Sequence, residues 1–131
     1  MEDIPKITES ARLPLEIPIR SHLIDHRFKN RSVLPAVEAV EIMAQAVKGF
    51  QPSVDVTSVG RQQFDKFLFL DPQVGKITAF CDISLYENGD IKTVLATRTT
   101  SKAAGFSRVK AHATACLLYT SPSPRDARKY L

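Results

Sequence analysis

Apolar residues along this chain change their spacing twice. From Leu13 to Arg20 they alternate imperfectly, with Leu15, Ile17 and Ile19 pointing one way. Pro14 and Pro18 each remove a backbone donor, which an edge strand tolerates and a central one does not, so the segment reads as an edge strand. His22 to Asn30 mixes apolar and charged residues without a helical period and reads as extended or looping. From Pro35 to about Lys48 the polar positions are Glu38, Glu41, Gln45 and Lys48, spaced three, four and three apart, and the rest are Ala, Val, Ile and Met. That spacing predicts a helix apolar over most of its circumference, which other structure must wrap, with one narrow polar stripe left over. Pro35 suits the first helical position, where its missing donor costs nothing; Ser32 or a nearby backbone group is a candidate cap, and Gly49 a stop signal.

After the helix the period shortens to about two. Val54 to Val59, Phe64 to Leu70, Lys76 to Tyr86, Ile91 to Thr100 and Ser107 to Thr114 are rich in Val, Ile, Phe and Thr and are predicted strands. Asp71-Pro72 and Asn88-Gly89-Asp90 are the clearest turn signals, the second favouring a tight hairpin. An α+β fold, with an antiparallel sheet covering one long apolar helix, satisfies both periodicities. No internal repeat is evident.

With 131 residues the chain fits one domain, and 44% hydrophobic with 24% charged residues makes it globular rather than disordered. No apolar run is long enough to span a membrane, and the acidic start Met1-Glu-Asp-Ile-Pro lacks the basic and apolar regions of a signal peptide. Cys81 and Cys116 make no disulfide framework and have no metal-ligand spacing to each other or to the histidines, so a cytoplasmic protein without a metal is expected. Arg125, Arg128 and Lys129 against Asp126 supply half of the formal +4 charge, and the other basic residues are scattered. No concentrated patch or aromatic-basic alternation points to nucleic acid.

The segment from Cys116 to Asp126 resembles the conceptual translation of a sequencing adapter, which implies a native chain cut near Ala115; a Ser/Pro-rich linker after a terminal strand is the alternative. The expected organisation is an N-terminal extension over 1–12, a truncated domain over 13–115 and a non-native tail over 116–131.

Chemistry concentrates in one stretch. His26 precedes Pro35 and its helix, and Glu41 lies within that helix, so an imidazole and a carboxyl are available for proton transfer. Asp25 adjoins His26, but neighbouring side chains on an extended segment point to opposite sides. His22 and His112 gain nothing from spacing, Met43 belongs in a core, and Cys81 reads as a small buried hydrophobe.

These residues carry a resemblance to the hot-dog fold, and more closely to 3-hydroxyacyl-thioester dehydratases. The polyketide synthase type has a His-x-x-x-Gly-x-x-x-x-Pro motif, matched by His26 and Pro35 with Asn30 in place of the Gly. The fatty acid type has Pro-Gly before a helix reading Glu-Ala-Met-Ala-Gln, matched by Pro35 and Glu41-Ile-Met-Ala-Gln45 with Ala36 in place of the Gly. Phe64-Asp-Lys-Phe67 is similar to the strand that follows. The resemblance spans Leu13 to Ala115 and is most specific over residues 26 to 45.

The resemblance implies dehydration of a 3-hydroxyacyl thioester to a 2-enoyl thioester, with His26 as base and Glu41 as acid. It implies backbone donors near Val33 and from Pro35 through Ala36 to Val37 around the enolate oxygen, and Gln45 as a hydrogen-bonding support. The substrate would ride on an acyl carrier protein or coenzyme A, with no other cofactor. Asn30 enters the left-handed region more readily than most residues, so the turn can persist; the Ala36 methyl intrudes where Gly permits close contact. In double hot-dog enzymes the acid is an Asp of a second repeat absent here, and in the fatty acid type the two residues come from opposite subunits. A second hot-dog unit, in the same chain or a homodimer, is therefore expected. A non-catalytic acyl-binding or scaffold domain is the alternative, as is a thioesterase, although histidine before proline is not the usual mark of the latter.

Overall fold

The computed structural model describes residues 6–19, 27–52, 55–71, 73–101 and 105–120. In chain order the elements are β1 (Ile7–Pro18), β2 (Arg27–Phe28), β3 (Arg31–Ser32), α1 (Ala36–Phe50), β4 (Asp55–Phe64), β5 (Lys76–Tyr86), β6 (Ile91–Ser101) and β7 (Phe106–Thr120). Five of the strands form one antiparallel sheet in the order β1-β5-β6-β7-β4, and β2 and β3 form a small hairpin.

The helix lies against the sheet as its period requires. Ala39, Met43, Ala46 and Val47, spaced four, three and one, are the buried stripe of α1. They meet Cys81 and Ile83 of β5, Ile91 and Leu95 of β6, and Ala113, Ala115 and Leu117 of β7. The small alanines on β7 leave room for the helix, and the large aliphatic side chains bring about 1.5–3 kcal/mol each on full burial. Thr93 is the polar exception in this core: its hydroxyl donates to the Ala115 carbonyl at 3.1 Å and lies 3.3 Å from the Met43 sulfur.

Several boundaries differ from the sequence expectation. The strand expected from Leu13 begins at Ile7, six residues earlier, and pairs with β5. Pro35 is the N-cap residue before the helix, extended at φ −63° and ψ 148°, and makes no side-chain cap bond. Gly49 lies inside α1, which runs two residues past Lys48 to half-buried Phe50 packed on the core; the Gln51 amide donates to the Val47 carbonyl. Phe64 ends β4 opposite Ala113, but residues 65–70 form no strand. Their strand pairing reduces to one bridge, Val33 with Phe69, and their aromatic rings bind other groups, as shown below. The β5–β6 turn spans Glu87–Asp90 with Gly89 at φ 93°, longer than a tight two-residue hairpin. Residues 116–120 continue β7, where Leu117 is fully buried.

Candidate functional site

Three recesses surround the start and flank of α1. The largest, about 620 Å³, is a groove between β1 and the polar stripe of the helix. Leu13, Leu15 and Ile17 supply its apolar wall, because alternation on β1 turns these residues inward. Glu38, Glu41 and Gln45 form the opposite wall, one helical turn apart. Gln45 Nε2 donates to Glu41 Oε1 at 3.3 Å, and both side chains are exposed. A proton-donating carboxyl calls for apolar enclosure; the described residues do not enclose Glu41.

His26, with His22 and Asp25, lies outside the described residues. The chain beside it is clear. Arg27 and Phe28 pair with Ser32 and Arg31, and Lys29 and Asn30 turn the hairpin at φ 51° and 66°. Two consecutive left-handed residues are the signature of a type I′ turn, so Asn30 supplies the conformation a glycine would give. The Phe28 ring lies 4.6 Å from that of Phe67, and the Arg31 guanidinium lies 3.7 Å from the centre of Phe69. These contacts tie the hairpin to the segment before β5. Asn30, Arg31, Ser32, Phe69 and Asp71 border a shallow recess of about 410 Å³ on that side.

The helix start faces outward. Val33 is buried and bridged to Phe69, flanked by Leu34 N–H to Leu68 O at 2.9 Å and Leu70 N–H to Ser32 O at 2.8 Å, so the Leu34 amide is committed. Pro35 has no amide hydrogen, and its carbonyl accepts from Ala39. Ala36 and Val37 are exposed, Val37 at 77%. First-turn amides have no intrahelical acceptor and carry positive potential, so this end can face a developing oxyanion.

Beneath it lies a cavity of about 200 Å³, walled by Leu34, Ala36, Ala39, Phe64 to Leu68, Leu95 and His112. Here the structure adds a residue the spacing did not single out. Leu95 pairs with Ala113 but Ala96 with Ala111, so His112 is the extra residue of a bulge in β7. The bulge turns the ring inward. Nδ1 lies 3.2 Å from the Lys66 carbonyl, which only accepts, so Nδ1 carries the hydrogen. Nε2, 2.8 Å from Thr97 Oγ1, then accepts from that hydroxyl. Burial holds the imidazole below its ordinary pKa, against the hydrogen bonds from the main chain, so the ring is kept neutral. No alternation pattern reveals such a position, since a bulge breaks the alternation. Cys81 is an inert core thiol, pushed up to about 12 by burial and then by Asp82.

Among the described residues no group of three or more His, Cys, Asp or Glu is placed to hold a metal ion, and no helix is long and apolar enough to cross a membrane. By sequence the chain matches no protein-family model and no curated protein. By structure it is similar to the dehydratase domain from the CurF module of curacin polyketide synthase, with a TM-score of 0.66 and 19% identity over 98% of this chain and 47% of that one. It is similar to an N-terminal dehydratase from the difficidin assembly line (0.63, 11%, covering 92% and 41%). A trans-AT polyketide synthase dehydratase domain from Brevibacillus brevis gives 0.63 and 16%, covering 90% and 42%. At these identities the likeness establishes the fold: α+β, the hot-dog arrangement of one helix against an antiparallel sheet. The chain spans less than half the length of each of these structures.

Proposed function

We propose that this chain is one hot-dog unit of a 3-hydroxyacyl-thioester dehydratase and that a second unit completes its site. The observation that carries the reading is the Glu41–Gln45 pair on the groove wall of a helix that packs against a hot-dog sheet. His26 takes the proton beside the thioester carbonyl; the electrons form the double bond as the C–O bond to the 3-hydroxyl breaks, and Glu41 protonates the departing oxygen, giving water and a 2-enoyl thioester. First-turn amides at Ala36 and Val37 steady the enolate oxygen. Gln45 holds the Glu41 carboxyl toward the groove.

Completion by a second unit follows from electrostatics. Glu41 stands exposed here, and an added surface over the groove would supply the apolar enclosure a carboxylic acid needs at neutral pH. The structural relatives, each more than twice the length matched, support the same arrangement. The substrate is then carried on an acyl carrier protein or coenzyme A, in the cytoplasm. A second reading, a hot-dog unit that binds acyl groups without catalysis, draws on the same exposure of Glu41 and on the Ala36 methyl at the cavity wall; in a double hot-dog enzyme the acid would instead be an Asp of the other unit.

The test is hydration of a short 2-enoyl thioester by the full-length protein and its His26→Ala form. Turnover lost with His26 upholds the dehydratase. A folded protein that binds the thioester without turnover leaves the non-catalytic reading.

A further inference from the structure

Past Phe64, which pairs with Ala113 at the end of β4, residues 65–70 cross from the sheet to the approach of α1 as a strap. Its far end is stitched to the segment before the helix: Leu34 N–H donates to Leu68 O at 2.9 Å, Leu70 N–H donates to Ser32 O at 2.8 Å, and Phe69 bridges Val33. Its near end is fastened to β7 by one residue. One position past the Phe64–Ala113 rung, the Asp65 amide donates to the His112 carbonyl at 3.1 Å, and the His112 ring then donates from Nδ1 to the Lys66 carbonyl at 3.2 Å. There a side chain, not the main chain, carries the link. Among the described residues, the strap's hydrogen bonds to β7 both end on His112.

Packing alone does not set where the strap lies against the helix. Leu68 and Leu70 are buried in the core, but apolar burial has no direction. The cavity of about 200 Å³ is walled both by the strap and by Ala36 and Ala39 of α1, so the two are not close-packed across it. Hydrogen bonds, which are directional, fix the register instead. The Leu34 amide is the last donor before α1, because Pro35 has none, so its bond to Leu68 sets where the first turn begins. The His112 ring is not arranged to carry a proton. Nδ1–H is given to Lys66, and Nε2 accepts from Thr97 Oγ1 at 2.8 Å.

We propose that His112 is a positioning residue: through the Lys66 carbonyl it holds the strap in register, and through the Leu68–Leu34 bond it places the first-turn amides of α1 against the enolate oxygen. Thr97 keeps the ring in the tautomer this requires. His112 itself touches neither substrate nor a transferring proton. The role toward the enolate rests on the dehydratase reading above, whereas the register of the strap stands on the hydrogen bonds alone.

The experiment compares His112→Asn with His112→Gln in the full-length protein. Asn carries its amide nitrogen at the same bond separation from Cβ as Nδ1 and can donate to the Lys66 carbonyl, whereas Gln carries it at the separation of Nε2 and overshoots. Amide hydrogen exchange at Leu34 and Leu70 is read against the amides of β5, which report global opening. Relative to β5, both amides should exchange about tenfold faster in the Gln variant, the scale of one lost hydrogen bond, and as in the parent in the Asn variant. His112→Leu, which fills the site without a donor, should repeat the Gln result. For enoyl thioester hydration, kcat should fall on the order of 100-fold with Gln, the scale of a misplacement of about 1 Å, and KM should stay near the parent's, because the amides act on charge that develops in the transition state. Asn should restore most of kcat. Parent-like exchange in the Gln and Leu variants overturns the proposal, as does equal loss of protection with Asn, which would show that the ring acts by its shape. Faster exchange with unchanged kcat overturns the positioning role, and so does an Asn variant with protection kept but kcat lost, since an amide carries no proton and the ring would then be catalytic. A parent without turnover sinks the dehydratase alone and leaves exchange to decide the register; a parent that turns over beside a Gln variant of unchanged exchange sinks the strap alone.

Discussion

The groove beside β1 and the cavity beneath the helix start sit on the same helix and treat their ionisable residues in opposite ways. In the cavity, His112 is buried and both ring nitrogens are committed, so its protonation state is fixed by this chain alone. In the groove, Glu41 and Gln45 are exposed and joined to each other by a 3.3 Å hydrogen bond. Burial makes one residue architectural. Exposure leaves the other on the groove surface, and under the proposed function its chemistry depends on a second unit.

The contrast breaks first at Glu41. In the full-length protein Glu41→Gln should lower kcat for enoyl thioester hydration by about 100-fold or more, the usual scale of a lost general acid, with a melting temperature close to that of the parent. Unchanged turnover would move the acid to another unit and reduce Glu41 to a surface residue.

His112→Ala should lower stability as well. It leaves a void and strands the Lys66 carbonyl and the Thr97 hydroxyl, for a cost of about 2–4 kcal/mol by urea unfolding. A variant as stable as the parent would show that the bulge is held by the backbone alone.

A pH titration of stability sharpens the same point. The folded pKa of His112 lies below the ordinary 6.5, so the folded state holds fewer protons than the unfolded one between those values. The contribution of the neutral ring is therefore complete above about 6.5 and is lost as pH falls through the folded pKa. Carboxylates titrate in acid too, so the quantity to follow is the parent-minus-His112→Phe difference in urea midpoint from pH 8 to pH 5. A difference constant across that range would contradict the buried neutral imidazole.

The smallest effect belongs at the groove rim. Glu16 accepts from Lys76 Nζ at 3.2 Å with both side chains mostly exposed, and Glu16→Gln should change stability by about 0–1 kcal/mol. A larger loss would mean that the rim is more enclosed than its exposure indicates.

The helix and the β5 strand were legible because each is long and its period is unbroken over many residues. Lys76–Tyr86 is a strand over the expected residues, and the buried positions of α1 are those left by the polar stripe. Past Phe64, which ends β4, the segment to Leu70 misled because aromatic alternation also arises where rings serve local contacts. Phe67 turns to Phe28, and Phe69 to Arg31, without a ladder of partners. The site was half legible. Glu41 and Gln45 stand out on a sparse polar stripe, and the left-handed Asn30 follows from its side chain, but His112 acquires its role from a bulge.

The prolines of β1 guard one margin of the sheet. Pro14 and Pro18 pair with Phe80 and Lys76, and a residue without an amide hydrogen fits such a ladder by leaving its blank side outward. A visiting strand at that margin would find two rungs with no hand to grasp. At the opposite margin β4 carries no proline, and its irregularity is limited to the bulges near Val56–Ser58 and Gly60–Gln63, where Arg61 takes φ 50°. Among the described residues, the two margins therefore resist a visiting strand by different means, missing donors at β1 and bulges at β4.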